Sequence, residues 1–205
     1  MTRRLLEYGT EGVLVECADL GEVLGLMAAL EADPIPGVEE AVPGARTLLL
    51  RLARPLTGGE RSHLQTREIA PPAQREQPEV RIEVDYDGED LEEVAGLTGR
   101  SPEAVIDAHT GQLWTVGFCG FAPGFAYLQG ENDALRVARR DRPRTKVPAG
   151  SVGLADTWSG IYPREGPGGW QLIGRTDAVL WDVARRPPAL LRPGTRVRFV
   201  DRAAS

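Results

Sequence analysis

The chain opens on short alternating runs of apolar and polar residues and then switches to a helical spacing. Leu5 to Tyr8 and Val13 to Cys17 alternate around a turn at Gly9–Gly12, which predicts two strands. Leu20, Val23, Met27 and Leu30 then recur on one face of a helix. Asp19, with Glu22 three positions on, predicts its start as a capping box. Asp33-Pro34 predicts its end, because the residue before a proline is pushed out of the α region. Val38 to Val42 and Thr47 to Leu52 flank a turn at Pro43-Gly44 and predict a hairpin. Thr57, with Glu60, predicts a second capped helix to about Arg67. Two strands, a helix, two strands and a helix make a small helix-on-sheet α+β domain over residues 1–70.

The pattern then lapses. Residues 71–79 are polar and rich in proline, without apolar periodicity, and predict a linker to a second domain over 80–205. Val80, Ile82 and Val84 alternate with charged residues as a half-buried strand. Residues 90–111 predict a helix, a glycine-bearing turn and a second helix capped by Ser101-Pro102, the outline of a helix-turn-helix. Trp114, Val116 and Phe118 alternate as a strand entering a glycine-rich region. Further strands are predicted at 146–148, 151–155, 170–175, 178–181 and 195–200. Many short strands with turns at close spacing predict a closed or nearly closed β-barrel.

Charge removes one reading. The 205 residues carry a net charge of −6, whereas a nucleic-acid binder needs a basic face to displace counterions from phosphate. The helix pair itself is acidic, with Asp87, Glu89, Asp90, Glu92, Glu93, Glu103 and Asp107 against Arg100. It predicts a structural flap on the barrel and no nucleic-acid partner. Cys17 and Cys119 lie in unlike segments and predict free thiols of a reducing compartment. The opening MTRRLLEYGTEG has no apolar core, so no signal peptide is predicted. The longest apolar run, Val23 to Leu30, is too short to span a bilayer. The expectation is a cytoplasmic protein with no membrane partner.

Candidate chemistry gathers between Gly117 and Thr176. Glycine and proline recur there too densely for helices and suit tight turns or close backbone approach. Phe121, Phe125, Tyr127, Tyr162 and Trp170 lie among Arg144, Lys146, Gln171 and Arg175, a mixture that fits a pocket for a small polar anion. The same aromatics also suit a glycine-rich β core. His109, near a helix C-terminus, is a general acid/base candidate or a residue bonding the last carbonyls of its helix. The tract Arg136 to Lys146 holds six bases and one acid, a local reversal of sign that attracts carboxylate or phosphate, or else a solvated loop. Arg144 and Lys146 lead into the turn PAGSVG, whose backbone donors could share an anion. There is no GxxxxGK[ST], GxGxxG, CxxC, HExxH or GxSxG motif, so no metal site and no independent nucleotide site are predicted.

The segments GFCGFAPGFAYL, PRTKVPAGSVG, SGIYP and PGGWQLIGRT, in this order, resemble the PxpB family, the B-type subunits of bacterial ATP-dependent 5-oxoprolinase. That family also includes the sporulation-kinase inhibitor KipI and proteins labelled as the first subunit of allophanate hydrolase. The resemblance spans essentially the whole chain and is most specific over residues 114–176. It implies a ferredoxin-like N-terminal domain and a cyclophilin-like β-barrel domain. It implies two partners as well, a PxpC-like (or KipA-like) protein and a PxpA-like protein. Together such proteins open 5-oxo-L-proline to glutamate using ATP, with magnesium accompanying the nucleotide. A KipI-like inhibitor of a sensor histidine kinase, and a relative of the biotin-dependent urea carboxyltransferase, are the alternatives it carries. Trp158 and Ser159 stand where the family has glutamine and threonine, Gly166 where it has serine, and Ala138 where proline is common.

On this reading Arg144, Lys146 and Arg175 would stabilise charge developing on the lactam oxygen, and His109 would move a proton. Phe121, Pro123, Gly124, Phe125, Tyr162, Trp170 and Gln171 would wall the substrate. These roles follow from residue type and place.

Overall fold

In the computed structural model, residues 2–69 and 79–204 are described. The chain divides into two compact units, Met1–Glu76 and Gln77–Ser205. Apart from Glu79, the linker expected at 71–79 falls outside the described residues.

The first unit runs β1 (Leu5–Glu7), β2 (Gly12–Glu16), α1 (Leu20–Ala32), β3 (Val38–Pro43), β4 (Thr47–Leu52) and α2 (Gly58–Thr66). Its strands form one antiparallel sheet in the order β1-β2-β4-β3. A ferredoxin-like domain is defined by the succession βαββαβ. Here the succession is ββαββα, so the strand at one edge comes first in the chain. The apolar face expected of α1 is buried at Leu20, Val23, Leu26 and Leu30, and the sheet buries Val13, Val15, Leu48 and Leu50. Asp19 caps α1 by accepting the Glu22 N–H, but Glu22 reaches back to the Ala18 N–H rather than to the cap's own. Thr57 and Glu60 form the full reciprocal box expected of α2.

The second unit is a seven-stranded sheet rolled almost into a barrel. Its strands are β5 (Val80–Val84), β6 (Trp114–Cys119), β7 (Ala126–Gly130), β9 (Ser151–Ala155), β10 (Trp158–Ile161), β12 (Gln171–Arg175) and β13 (Arg196–Asp201). They lie in the order β12-β9-β10-β7-β6-β13-β5, antiparallel except for the pair β13 and β5. The two ends of the sheet meet through a bridge in which Asp85 and Arg175 exchange backbone hydrogen bonds of 2.8 and 2.9 Å. A separate ribbon pairs β8 (Arg144–Val147) with β11 (Gly166–Gly168). The strand expected at 178–181 is a loop that makes one bridge, Trp181 to Ala189. β7, β10 and β11 were not among the expected strands; β10 and β11 are short and interrupted by glycine, and β7 follows directly on the glycine-bearing turn of the GFAPGF loop.

The barrel interior holds Ile82, Val116, Leu128, Val152, Leu154, Ile173 and Phe199. The acidic helix pair, α3 (Leu91–Thr98) and α4 (Pro102–Thr110), adds Val94, Ala95 and Val105 to that core. Gly99, at φ 66°, ends α3 in the left-handed conformation, and Ser101 caps α4 by accepting the Ala104 N–H. The pair is therefore part of the barrel's own packing, as its charge predicts. No described helix is long and apolar enough to cross a membrane.

Candidate functional site

The glycine-rich stretch builds a second apolar cluster distinct from the barrel core: Phe125, Val147, Ala155, Tyr162, Trp170 and Leu172. Trp170 lies so close over β9 and β10 that a Cβ on Gly153 would sit 3.1 Å from the Trp170 Cβ. A Cβ on Gly160 would sit 2.9 Å from the indole ring. Close approach thus demands glycine, but much of it is to this chain's own aromatics. Phe125 meets Tyr162 and Trp170 edge-on, with centroids 5.4 Å away in both cases. The series runs outward to Tyr127, Trp158 and Phe118, which are half-buried.

The loop between β6 and β7 carries Phe121, Pro123 and Gly124. Gly124, at φ 86°, lets the chain pass under Trp181, whose Cβ would be 2.9 Å from a Cβ placed there. Phe121 adopts φ 65° and is 59% exposed. Beside this loop a groove of about 280 Å³ is lined by Gly150, Tyr162, Pro163, Thr176, Asp177 and Trp181, among others. Tyr162 is buried, and its hydroxyl lies toward Gly168 and the Trp170 backbone, inside the second cluster, where burial raises the pKa of the phenol. Asp177 pairs with Arg202 at 3.2 Å, and no described lysine or arginine lines the groove.

The expected cations sit elsewhere. Arg144 grips Asp90 with two hydrogen bonds of 2.7 and 2.8 Å and reaches Glu89 at 3.2 Å. Asp90 also accepts from Arg140 and from the Leu172 N–H at 2.7 Å. The Asp90 side chain is 3% exposed, so this is a buried ion cluster joining α3 to β12 and to the arginine tract. The hydrogen bonds that Arg144 donates to Asp90 hold its pKa above the ordinary value. Lys146 pairs with Glu165 at 3.1 Å on the surface, and Arg175 pairs with Asp87 at 2.9 Å, also in solvent. Gln171 is buried behind the ion cluster, with its amide nitrogen near Glu93 and the Ala138 carbonyl.

His109 lies inside the barrel, wholly buried and stacked on Phe199 at 4.3 Å between centroids. Tyr86 Oη is 2.7 Å from its Nδ1, and Ser159 Oγ is 2.9 Å from its Nε2. A neutral imidazole satisfies both, donating through one nitrogen and accepting through the other. Burial pushes its pKa down to about 3. The structure therefore leaves Phe121 and Pro123 exposed on the β6–β7 loop, buries Gly124 under Trp181, and sends Phe125, Tyr162, Trp170 and Gln171 into packing. Arg144 enters an ion cluster, His109 the barrel core. Trp181 and Asp90 were missed: the first looked like strand, the second like one surface acid among seven. Only Ser159, as a departure from the family pattern, carried a sequence signal.

A family model described as "Carboxyltransferase domain, subdomain C and D" matches residues 3–191. The chain belongs to this carboxyltransferase-domain family. Among curated proteins of the family, the B-type subunit of 5-oxoprolinase from Bacillus subtilis (strain 168) is 39% identical over 88% of this chain and 82% of its own length. The protein of the same name from Escherichia coli O157:H7 is 42% identical over 81% of this chain and 79% of its own. A third of that name, from Haemophilus influenzae, is 45% identical over 59% of this chain. Among solved structures, TTHA0988 matches with a TM-score of 0.78 and 39% identity over 93% of this chain, which spans only 40% of that one. A Pyrococcus horikoshii protein, PH0987, matches over 98% of this chain and 99% of its own, with a TM-score of 0.59 and 32% identity. The Kluyveromyces lactis urea amidolyase shares the fold at 17% identity and a TM-score of 0.71. Among the described residues there is no group of three or more histidine, cysteine, aspartate or glutamate residues placed to hold a metal ion.

Proposed function

We propose that this chain is the PxpB-type component of an ATP-dependent 5-oxoprolinase-type amidohydrolase, which opens 5-oxo-L-proline to L-glutamate together with PxpA-like and PxpC-like proteins. The observation that carries the reading is that three relatives at 39–45% identity are named as the B-type subunit of 5-oxoprolinase. The same reading takes the first unit as a ferredoxin-like layer whose edge strand has moved to the front of the chain, and the barrel as cyclophilin-like.

The groove beside Tyr162 is the candidate lactam site on this chain. Its wall of Tyr162, Val179, Leu180 and Trp181 suits a small ring, and Thr176 and Asp177 offer polar contacts. It does not fit a triphosphate. The described lining has one carboxylate, Asp177, and no cation, while Arg144 is already committed to Asp90. Nucleotide and its magnesium are accordingly assigned to a different component of the complex. For the same reason His109 and Arg144 serve the fold and not proton transfer or oxyanion binding.

The test is reconstitution. The purified chain, its PxpC-like partner and its PxpA-like partner are assayed singly and together for glutamate released from 5-oxo-L-proline with ATP. Turnover is expected only when this chain is combined with its partners. Robust turnover by the chain alone, or none by the full set, removes the reading.

A further inference from the structure

Exposed apolar side chains are concentrated on one face of the barrel unit. Of the seven large exposed hydrophobics described, Phe121, Val179, Trp181 and Val183 lie on just two loops, the β6–β7 loop and the segment before β13. The loops adjoin where Gly124 passes under Trp181. The others, Tyr8, Val42 and Leu97, are scattered singly. Isolated exposed hydrophobics are ordinary, whereas grouped ones mark interaction surfaces.

Two further observations show a surface that is held ready. Phe121 takes a left-handed backbone, φ 65°, that bulky residues avoid, and still leaves its side chain largely in solvent. The fold accepts that strain to aim an aromatic ring outward. The second loop is tied down by its own hydrogen bonds. Leu190 N–H donates to the Leu180 carbonyl at 2.9 Å and Asp182 N–H to the Pro188 carbonyl at 3.0 Å. Arg185 donates to the Val179 carbonyl at 2.9 Å, and Arg186 to the Val183 carbonyl at 2.8 Å. Such preorganisation lowers the entropic cost of docking.

Charge selects the occupant. Among the described residues Arg185 and Arg186 bond only to backbone carbonyls, whereas Asp182 caps the Ala184 N–H and Asp177 is answered by Arg202, so two guanidinium charges without a carboxylate partner rim the patch. In a symmetric pair of this chain the same patch would face itself and bring those cations together. A partner with carboxylates opposite them fits better. In TTHA0988 more than half of the chain lies beyond the part this chain matches, so a relative carries a further polypeptide of substantial size.

We propose that Phe121, Val179, Trp181 and Val183 form the centre of a docking surface for a separate polypeptide, apolar at its middle and acidic toward Arg185 and Arg186. Naming that polypeptide as the PxpC-like partner rests on the proposed function. Because Val179 and Trp181 also line the groove, docking there roofs the groove and excludes water from it.

The experiment is calorimetric titration of the purified chain with the purified PxpC-like protein, with hydrogen–deuterium exchange on the free and mixed proteins. Trp181→Ala, Val183→Asp and the double variant R185E/R186E are each expected to weaken Kd about tenfold or more. Leu97→Asp, an exposed apolar site on α3, should leave it unchanged. Amides of 120–125 and 178–186 should gain protection. Thermal melts of each variant alone separate lost binding from lost folding. The proposal is overturned if wild type does not bind, if the patch variants bind as wild type does, or if protection falls elsewhere. It is also overturned if the patch is buried in a homodimer of this chain. Patch-dependent binding without lactam turnover would remove the proposed function and leave the surface, whereas turnover with patch-independent binding would do the reverse.

Discussion

Asp90 and Arg144 stand 54 residues apart in sequence and share a doubly hydrogen-bonded ion pair, with the carboxylate almost wholly enclosed. The pair fastens the acidic helix α3 to the tract that leads into β8, and Asp90 holds β12 as well through the Leu172 N–H. Removing one partner leaves a buried charge uncompensated, which typically costs about 3–5 kcal/mol. Asp90→Ala takes a shared acceptor from Arg144, Arg140 and the buried Leu172 N–H at once, and should lower the stability of the barrel unit by roughly that amount. Arg144→Ala should cost less, since the enclosed Asp90 keeps Arg140 and the Leu172 N–H as donors, but more than Arg139→Ala, because Arg139 is exposed and makes no ion pair among the described residues. Urea denaturation of the three variants decides it, and equal small losses for all would show the pair to be energetically idle.

His109 makes stability pH-dependent with a definite sign. An unfolded imidazole ionises near 6.5, whereas in the fold burial moves ionisation down to about 3. As pH falls below 6.5 the unfolded state takes up a proton that the folded state refuses. Stability is fully present above that value and is lost progressively down to about 3, at up to about 1.4 kcal/mol per pH unit. His109→Gln should flatten this part of the curve relative to wild type, whatever it does at neutral pH. Parallel denaturation series between pH 7 and pH 4, about the range over which the effect develops, will show whether the curves diverge. Curves that keep the same slope would mean that His109 charges freely in the fold.

Ser159 closes the hydrogen-bonded chain inside the barrel. Ser159→Ala would leave His109 Nε2 without its hydroxyl partner, a cost of about 1–3 kcal/mol for a buried polar group. Ser159→Thr keeps the hydroxyl and should lose less, although its extra methyl must find room in a fully buried site. Thermal unfolding of both variants tests the order, and a more stable alanine variant would contradict it.

Two tryptophans should behave oppositely. Trp170 is buried in the second cluster, so Trp170→Ala should cost about 3–5 kcal/mol of stability through cavity formation. Trp181 is 41% exposed and should cost far less on its own, with its effect appearing when a partner binds. Melting temperatures of the free variants, set beside their partner affinities, distinguish core from surface. A Trp170→Ala protein that melts like wild type would remove the packing account of the glycine-rich stretch.

Most of the local elements were legible in the amino-acid order. Capped helices announce themselves through Asp19, Thr57 and Ser101, because a cap is satisfied by residues within one turn. The α+β layering, the barrel-like run of short strands and the acidic character of the helix pair follow from periodicity and charge alone. The four segments between Gly117 and Thr176 also carry the family resemblance, which the matching relatives bear out. What a side chain does there was not legible. Nothing near Arg144 in sequence reveals that its charge is answered by Asp90, nor does α4 reveal that His109 points into the barrel between hydroxyls from Tyr86 and Ser159. Glycines at 153 and 160 read equally as ligand approach or as space for Trp170, and only the packing of β9 and β10 decided between them. The difference is one of range. Turns, caps and amphipathic faces are settled by neighbours a few residues away, whereas burial and ion pairing depend on partners brought close only by closure of the sheet.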